Sequence, residues 1–261
     1  MRLRLRSRRA AFTLVELLVV IAVIALLMAI LIPTLTQVTR SARRVTCSNN
    51  LREITRAMVA YASAGNLHRG TVANALPSVG PTTGNWGDMK EGNPGAYWLM
   101  LTGRQPDDTP LDNVRNAWLQ PGVLVCPSAE RSGKRAPEIS DAGMTVETYS
   151  YSYLSQVPFT EGGRTYTATS ISGTAGSLAI LADRNPACEP GEESFEAGLA
   201  DQNSPNHGQT GQNVASLDQS VQWLETPELS GGDSDNIYAP EPGGDAGSGQ
   251  RAGVEDSFLI P

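Results

Sequence analysis

Histidine is almost absent from this chain: His68 and His207 are the only two in 261 residues. A serine-histidine-aspartate triad would have to use one of them, and Ser128, in Cys126-Pro127-Ser128, has no nucleophile-elbow context. His207 with Asp201 and Asp218 is the one arrangement that could be imagined as a site, and a loop histidine in water is the plainer reading. There is no phosphate-binding glycine motif and no dinucleotide fingerprint. No catalytic and no cofactor-binding residue is assigned, and no enzyme is expected. Cysteine is also scarce, at three, and neither the cysteines nor the histidines show a close ligand spacing. Zinc would need a fourth ligand, so no metal residue is assigned.

Lysine is reduced to Lys90 and Lys134, and positive charge is unevenly placed. Ten of the 20 basic residues and only two of the 27 acidic ones fall within the first 56 positions. The remaining 205 residues carry about −15, hidden by an overall charge of −7. An acidic domain of this kind argues against a nucleic-acid surface.

What the chain does have is one long apolar run, Phe12 to Leu35, with Glu16 as its only charge. As a helix these 24 residues span roughly 36 Å, enough for a hydrocarbon core of about 30 Å. Arg2, Arg4, Arg6, Arg8 and Arg9 lie just before it and hold that end on the cytoplasmic side, so the rest is exported. The run is not a typical secretory signal: Ile30 to Leu35 supplies no small-x-small cleavage site. A carboxylate in lipid is costly and normally has a partner or a function. Glu16 sits about one turn inside the span, where a helix N-terminus favours negative charge.

Ala11-Phe12-Thr13-Leu14-Val15-Glu16 resembles the processing site of the type IV prepilin and pseudopilin family. The resemblance implies cleavage before Phe12 by a prepilin peptidase, methylation of the new N-terminus, and Glu16 as fifth residue of the mature chain. In that family this glutamate docks a subunit into a growing filament through a neighbour's N-terminal amine, and Pro33 falls where many members kink their helix. A buried carboxylate facing a buried ammonium is far less costly than either alone. The family has glycine before the cut, where this chain has Ala11. The segment Cys47-Ser48-Asn49-Asn50-Leu51, with Tyr61 downstream, resembles a subgroup of prepilin-type proteins from planctomycete-like bacteria.

From Thr34 to Gly65 the apolar residues Val38, Ala42, Val45, Leu51, Ile54, Met58, Val59 and Tyr61 recur at three- and four-residue steps, predicting an amphipathic helix. Cys47 to Asn50 is expected to loosen or break it, because Ser and Asn compete for backbone bonds. Residues 66 to 95 read as loop, and 96–103 as a short helix. Trp118 is expected in the core, and Val123-Leu124-Val125-Cys126-Pro127 as a strand stopped by proline. Tyr149, Tyr151 and Tyr153 alternate as on a half-buried strand. Gly162-Gly163 reads as a turn before Arg164 to Ala168, and Leu178 to Asp183 reads as a strand. Gln212 to Trp223 reads as a hairpin turning at Asp218-Gln219. The family often places aspartate, glycine and histidine at this turn; Asp218 agrees, but Gln219 and Ser220 depart, and glutamine suits a positive φ poorly.

Export permits a disulfide among Cys47, Cys126 and Cys188. Cys47–Cys126 is the preferred pair, because it would staple the long helix to the head; Cys126–Cys188 is the next, and one cysteine is left over. Residues 231–261 read as an irregular Gly/Asp/Pro-rich extension whose last residues tuck back. Asp233, Asp235 and Asp245 raise structural calcium, but their spacing matches no ordered calcium loop, so no cofactor is assigned.

The expected fold is α+β and pilin-like: a long N-terminal helix, transmembrane in its first half, packed against a small antiparallel β-sheet head. Its segments are a basic leader (1–11), a transmembrane or filament-core helix (12–35), its amphipathic continuation (36–65), the exported head (66–230) and the extension (231–261). The residues assigned are Ala11 and Phe12 for processing, and Phe12, Glu16 and Pro33 for assembly. The resemblance implies a structural subunit of a type IV pilus-like filament or type II secretion pseudopilus. Its partners would be the prepilin peptidase/N-methyltransferase, like or related subunits, and an inner-membrane assembly platform, with no nucleic acid. The protein would cross the bacterial cytoplasmic membrane once, its C-terminal domain exported to the periplasm or cell surface. The alternative is a non-filamentous, membrane-tethered binding module, with polysaccharide as a candidate ligand, which requires Trp98, Tyr149, Tyr151 and Trp223 to meet on an exposed surface.

Overall fold

The computed structural model describes residues 13–63, 76–77, 118–129, 150–155, 159–166, 169–187, 195–229, 235–246 and 250–260. It divides into two compact units, Met1–Ala42 and Arg43–Pro261. The helix α1 runs Leu14–Ser63, through Pro33. In the first unit its side chains are exposed all round, as with Leu14 at 79% and Leu31 at 66%. Proline at 33 removes a backbone donor from the helix ladder. Nearby hydroxyls bond back to the helix: Thr34 Oγ1 donates to Leu31 O at 2.8 Å, Thr36 Oγ1 to Ile32 O at 3.0 Å and Thr39 Oγ1 to Leu35 O at 2.8 Å. Three polar groups are thereby satisfied without water.

In the second unit the helix acquires a buried face made of Cys47, Leu51, Ile54, Met58, Tyr61 and Ala62. The expected loosening at Cys47 to Asn50 does not occur, because the amides there bond away from the helix ladder. Asn50 Nδ2 donates to Val125 O at 3.2 Å and to Tyr151 Oη at 3.0 Å, and Asn49 Oδ1 accepts from Arg52.

Five strands form an antiparallel sheet in the order β6-β5-β4-β1-β7. They are β1 (Tyr151–Leu154), β4 (Ala179–Asp183), β5 (Gln212–Ser216), β6 (Val221–Leu224) and β7 (Leu259–Ile260). A separate hairpin pairs β2 (Phe159–Glu161) with β3 (Arg164–Tyr166) around Gly162 and Gly163, both at positive φ. The α+β architecture expected from sequence is therefore present: a long apolar N-terminal helix packed, through its later turns, on a small antiparallel sheet.

Two local expectations differ. Val123 to Pro127, expected as a strand, is not one: residues 121–124 form a 3₁₀ turn, since Pro121 starts a turn closed by Val123 N–H to Gln120 O, and 125–127 follow it without strand pairing. The aromatic alternation at 151 and 153 does mark a strand, but β1 is buried on both faces. Tyr153 Oη donates to Pro77 O at 3.0 Å, while Ser152 Oγ on the other face accepts from Asn185 N–H at 2.8 Å. That second face is covered by the Gly/Asp/Pro-rich stretch. Asn185 Nδ2 donates to Tyr238 O and Leu259 O, Ile237 and Tyr238 are buried, and β7 pairs with β1. The last residues do tuck back, as the sheet's edge strand. Trp118 packs against the core, edge-on to Tyr61 with ring centroids 6.2 Å apart. The expectations for Tyr149 and for 96–103 lie outside the described residues.

Candidate functional site

The start of α1 is a capping box. Thr13 N–H and Thr13 Oγ1 both donate to Glu16 Oε2 at 2.8 Å, and Glu16 N–H donates back to Thr13 Oγ1 at 3.3 Å. The signal was present in the sequence as Thr-x-x-Glu before an apolar run. Glu16 thus has a local partner that satisfies free backbone donors at the helix start. Ala11 and Phe12 lie outside the described residues.

The exposed large hydrophobic side chains of the described residues all fall between Leu14 and Val45. None of the most apolar stretch is buried among the described residues, and the helix is long and apolar enough to cross a membrane. A leucine or isoleucine left in water forgoes about 1.5–3 kcal/mol relative to burial. Lipid or other apolar helices must cover this surface.

A second constellation lies inside the head. Cys47, in α1, and Cys126, after the 3₁₀ turn, are joined in a disulfide with Cα atoms 5.4 Å apart, the preferred of the pairings considered. Cys188 lies outside the described residues. Against the disulfide stands His207, whose side chain is 5% exposed. It does not sit in a solvated loop but ends a 3₁₀ turn, Pro205–His207, capped by Ser204 Oγ accepting from Asn206 N–H. Its neighbour is not Asp201 or Asp218. Asp201 accepts from Asn236, and Asp218 accepts from Ser220 N–H in the β5–β6 turn. His207 Nε2 instead lies 3.1 Å from Asp183 Oδ2, at the end of β4, and 3.7 Å from Cys126 Sγ.

Asp183 is fully buried and tightly held. Its Oδ2 accepts from Asn213 N–H at 2.7 Å and Asn213 Nδ2 at 3.0 Å, and its Oδ1 from Asn206 Nδ2 at 3.1 Å. Buried carboxylates persist only where such donors surround them. Trp223 meets His207 edge-on at 5.3 Å, and the Arg44 guanidinium lies 3.6 Å from the Trp223 ring centroid. Partial burial lowers the Arg44 pKa, while Glu225 opposes that shift. Gly211, at φ +145°, leaves room for this tryptophan: a Cβ there would lie 2.6 Å from Trp223 Cζ2 and 2.4 Å from Leu224 O. Ligand-capable atoms of Cys47, Cys126, Asp183 and His207 all lie within 4.8 Å of one another.

Sequence reasoning missed this cluster because its members come from four separated segments. Of the aromatic residues proposed for an exposed platform, Tyr151 is buried with its hydroxyl on Asn50, and Trp223 is half-buried over His207. Trp98 and Tyr149 lie outside the described residues, as do Asp233 and His68.

Residues 6–32 match the model of the prokaryotic N-terminal methylation motif. No curated protein and no solved structure matches the chain. The motif covers the end of the basic segment and most of the apolar run. The motif and the long apolar helix are features of a membrane-anchored protein and are consistent with a prepilin-like family.

Proposed function

We propose that this protein is a structural subunit of a type IV pilus-like filament or a type II secretion pseudopilus, and not an enzyme. The observation that carries the reading is the methylation motif at 6–32, set on a 50-residue helix whose apolar first half is not buried among the described residues. Prepilin peptidase would cut between Ala11 and Phe12, and its methyltransferase activity would modify the Phe12 amine. The capping box begins at Thr13, so the cleavage leaves it intact. The mature chain would stay in the bacterial cytoplasmic membrane with its acidic head exported. An inner-membrane platform would then draw it into a filament, where apolar helix packing supplies affinity. Glu16 facing a neighbour's Phe12 amine supplies register. A carboxylate has about four acceptor positions, so the cap and the inter-subunit pair are compatible. The match of Cys47, Asn49, Asn50, Leu51 and Tyr61 to the planctomycete-like subgroup belongs to the same reading.

Intact mass and N-terminal sequencing of protein from its native membrane test the processing step. A methylated chain beginning at Phe12 is expected, and one beginning at Met1 would leave a plain anchor. Glu16→Ala tests assembly: membrane insertion should persist while homomeric crosslinking between stems is lost. Unchanged crosslinking ladders would remove Glu16 from the mechanism.

A further inference from the structure

We propose that the Cys47, Cys126, His207 and Asp183 cluster is a redox-gated metal site, which binds one zinc ion when the disulfide is reduced. Two thiolates, an imidazole and a carboxylate make a borderline-soft, four-ligand set suited to tetrahedral zinc and not to calcium or magnesium. Ordinary zinc–ligand distances in a tetrahedron place the nitrogen about 3.4 Å from the oxygen and about 3.6 Å from a sulfur. His207 Nε2 already stands 3.1 Å from Asp183 Oδ2 and 3.7 Å from Cys126 Sγ. Binding requires the two sulfurs to separate to roughly 3.8 Å once their bond is gone, and His207 Nε2 to exchange its 3.3 Å contact with Asn213 Nδ2 for the metal.

The surroundings are those of a built site. Asn213 and Asn206 hold the Asp183 carboxylate by three hydrogen bonds, as outer partners orient metal ligands elsewhere. Trp223 covers the imidazole, and Cys47, Cys126 and Asp183 are all fully buried. The cross-link is retained in either state. The disulfide ties α1 to the segment after the 3₁₀ turn, and zinc would tie both of them to the ends of β4 and the Pro205–His207 turn as well.

The chemistry balances in two steps. Reduction adds two electrons and two protons to the disulfide, giving two thiols. With a phosphine as reductant, the phosphine is oxidised to its oxide with oxygen from water. Zinc then displaces both thiol protons, and His207 binds through Nε2 as the neutral imidazole with its proton on Nδ1. With the disulfide closed, neither sulfur is a thiolate and the four-ligand set does not exist. The proposal is independent of filament assembly.

The test uses the full chain in detergent micelles, carrying Cys188→Ser so that the third thiol cannot contribute. After phosphine reduction the chain is titrated with Co2+ and then Zn2+. One Co2+ per chain is expected, with tetrahedral d–d bands and thiolate charge-transfer absorption, both abolished by Zn2+. The oxidised chain should show neither. His207→Gln should weaken binding by at least about tenfold, and Asn213→Ala by about 10–100-fold. If reduction alone unfolds the head, Zn2+ must restore its far-ultraviolet circular dichroism. A folded, reduced chain that takes up no cobalt, a failure of Zn2+ to restore an unfolded one, or His207→Gln binding at full strength would each overturn the proposal.

Discussion

Thr13 and Glu16 cap each other at the first turn of α1: both Thr13 donors fall on Glu16 Oε2, and the Glu16 N–H returns to the Thr13 hydroxyl. The glutamate that the filament reading uses for register is also a local helix-starting group. The two roles separate by mutation, because Thr13 takes part only in the cap.

Thr13→Ala removes the hydroxyl half of the box and should cost the helix start about 1 kcal/mol, seen as faster hydrogen exchange of the first-turn amides. Membrane insertion and stem crosslinking should stay near those of the parent chain. If Thr13→Ala abolishes crosslinking as fully as Glu16→Ala, the glutamate acts through the cap and not through a neighbour.

Cys47→Ser should destabilise the head by about 2–4 kcal/mol, since the disulfide joins residues 79 apart and restricts the unfolded chain. Urea unfolding followed by tryptophan fluorescence, with and without prior reduction, checks this. The parent chain in the absence of added metal should approach the variant on reduction. An equal midpoint for variant and oxidised parent would contradict it.

Stability should fall as pH rises from about 4 to about 6. Burial raises the Asp256 pKa to about 6 and raises that of Asp235 as well, despite the N–H donors each accepts. A carboxyl whose folded pKa exceeds its unfolded value binds a proton on folding within that window, so the folded state is favoured at the acid end. The loss is complete above the folded value. For Asp256 it amounts to at most about 3 kcal/mol. Asp256→Asn keeps an acceptor for Ala252 N–H and Glu241 N–H and should flatten most of the slope. Urea midpoints measured at pH 4, 5, 6 and 7 decide it, and an unchanged slope in the variant would assign the effect elsewhere.

Gln219→Gly should stabilise the head by about 0.5–1 kcal/mol. Gln219 sits at φ +69° in the β5–β6 turn, where a side chain costs about 1–2 kcal/mol; the greater freedom of glycine in the unfolded chain returns part of that. Asp218 Oδ1, accepting from Ser220 N–H at 2.9 Å, holds the turn in both chains. A lower urea midpoint for the variant would show that Gln219 makes a contribution larger than its backbone strain.

The apolar span, the place of Glu16 near the helix start, the strand read at 178–183 and the hairpin read at 212–223 were legible because each depends on residues close in sequence. Charge exclusion from lipid, helical periodicity and turn chemistry are local physics. Even the strain at Gln219 could be anticipated from a glutamine standing at a turn that favours glycine. The segment at 123–127 was misread because a short apolar run does not distinguish a strand from a 3₁₀ turn, and Pro121 tipped its start to the turn. Likewise, the alternating tyrosines marked β1 but could not show that the C-terminal stretch would bury its second face.

Sequence alone therefore determined that this protein has a hydrophobic span with one carboxylate at its start and an acidic head rich in turns. Tertiary structure alone decided that His207 is buried against Asp183 and a disulfide, and not solvated near Asp201 or Asp218. The physical reason is separation along the chain: α1, the segment after the 121–124 turn, β4 and the turn before β5 each bring one side chain. Only closure of the sheet over the helix, with Asn206 and Asn213 satisfying the carboxylate, makes it favourable to bury them together.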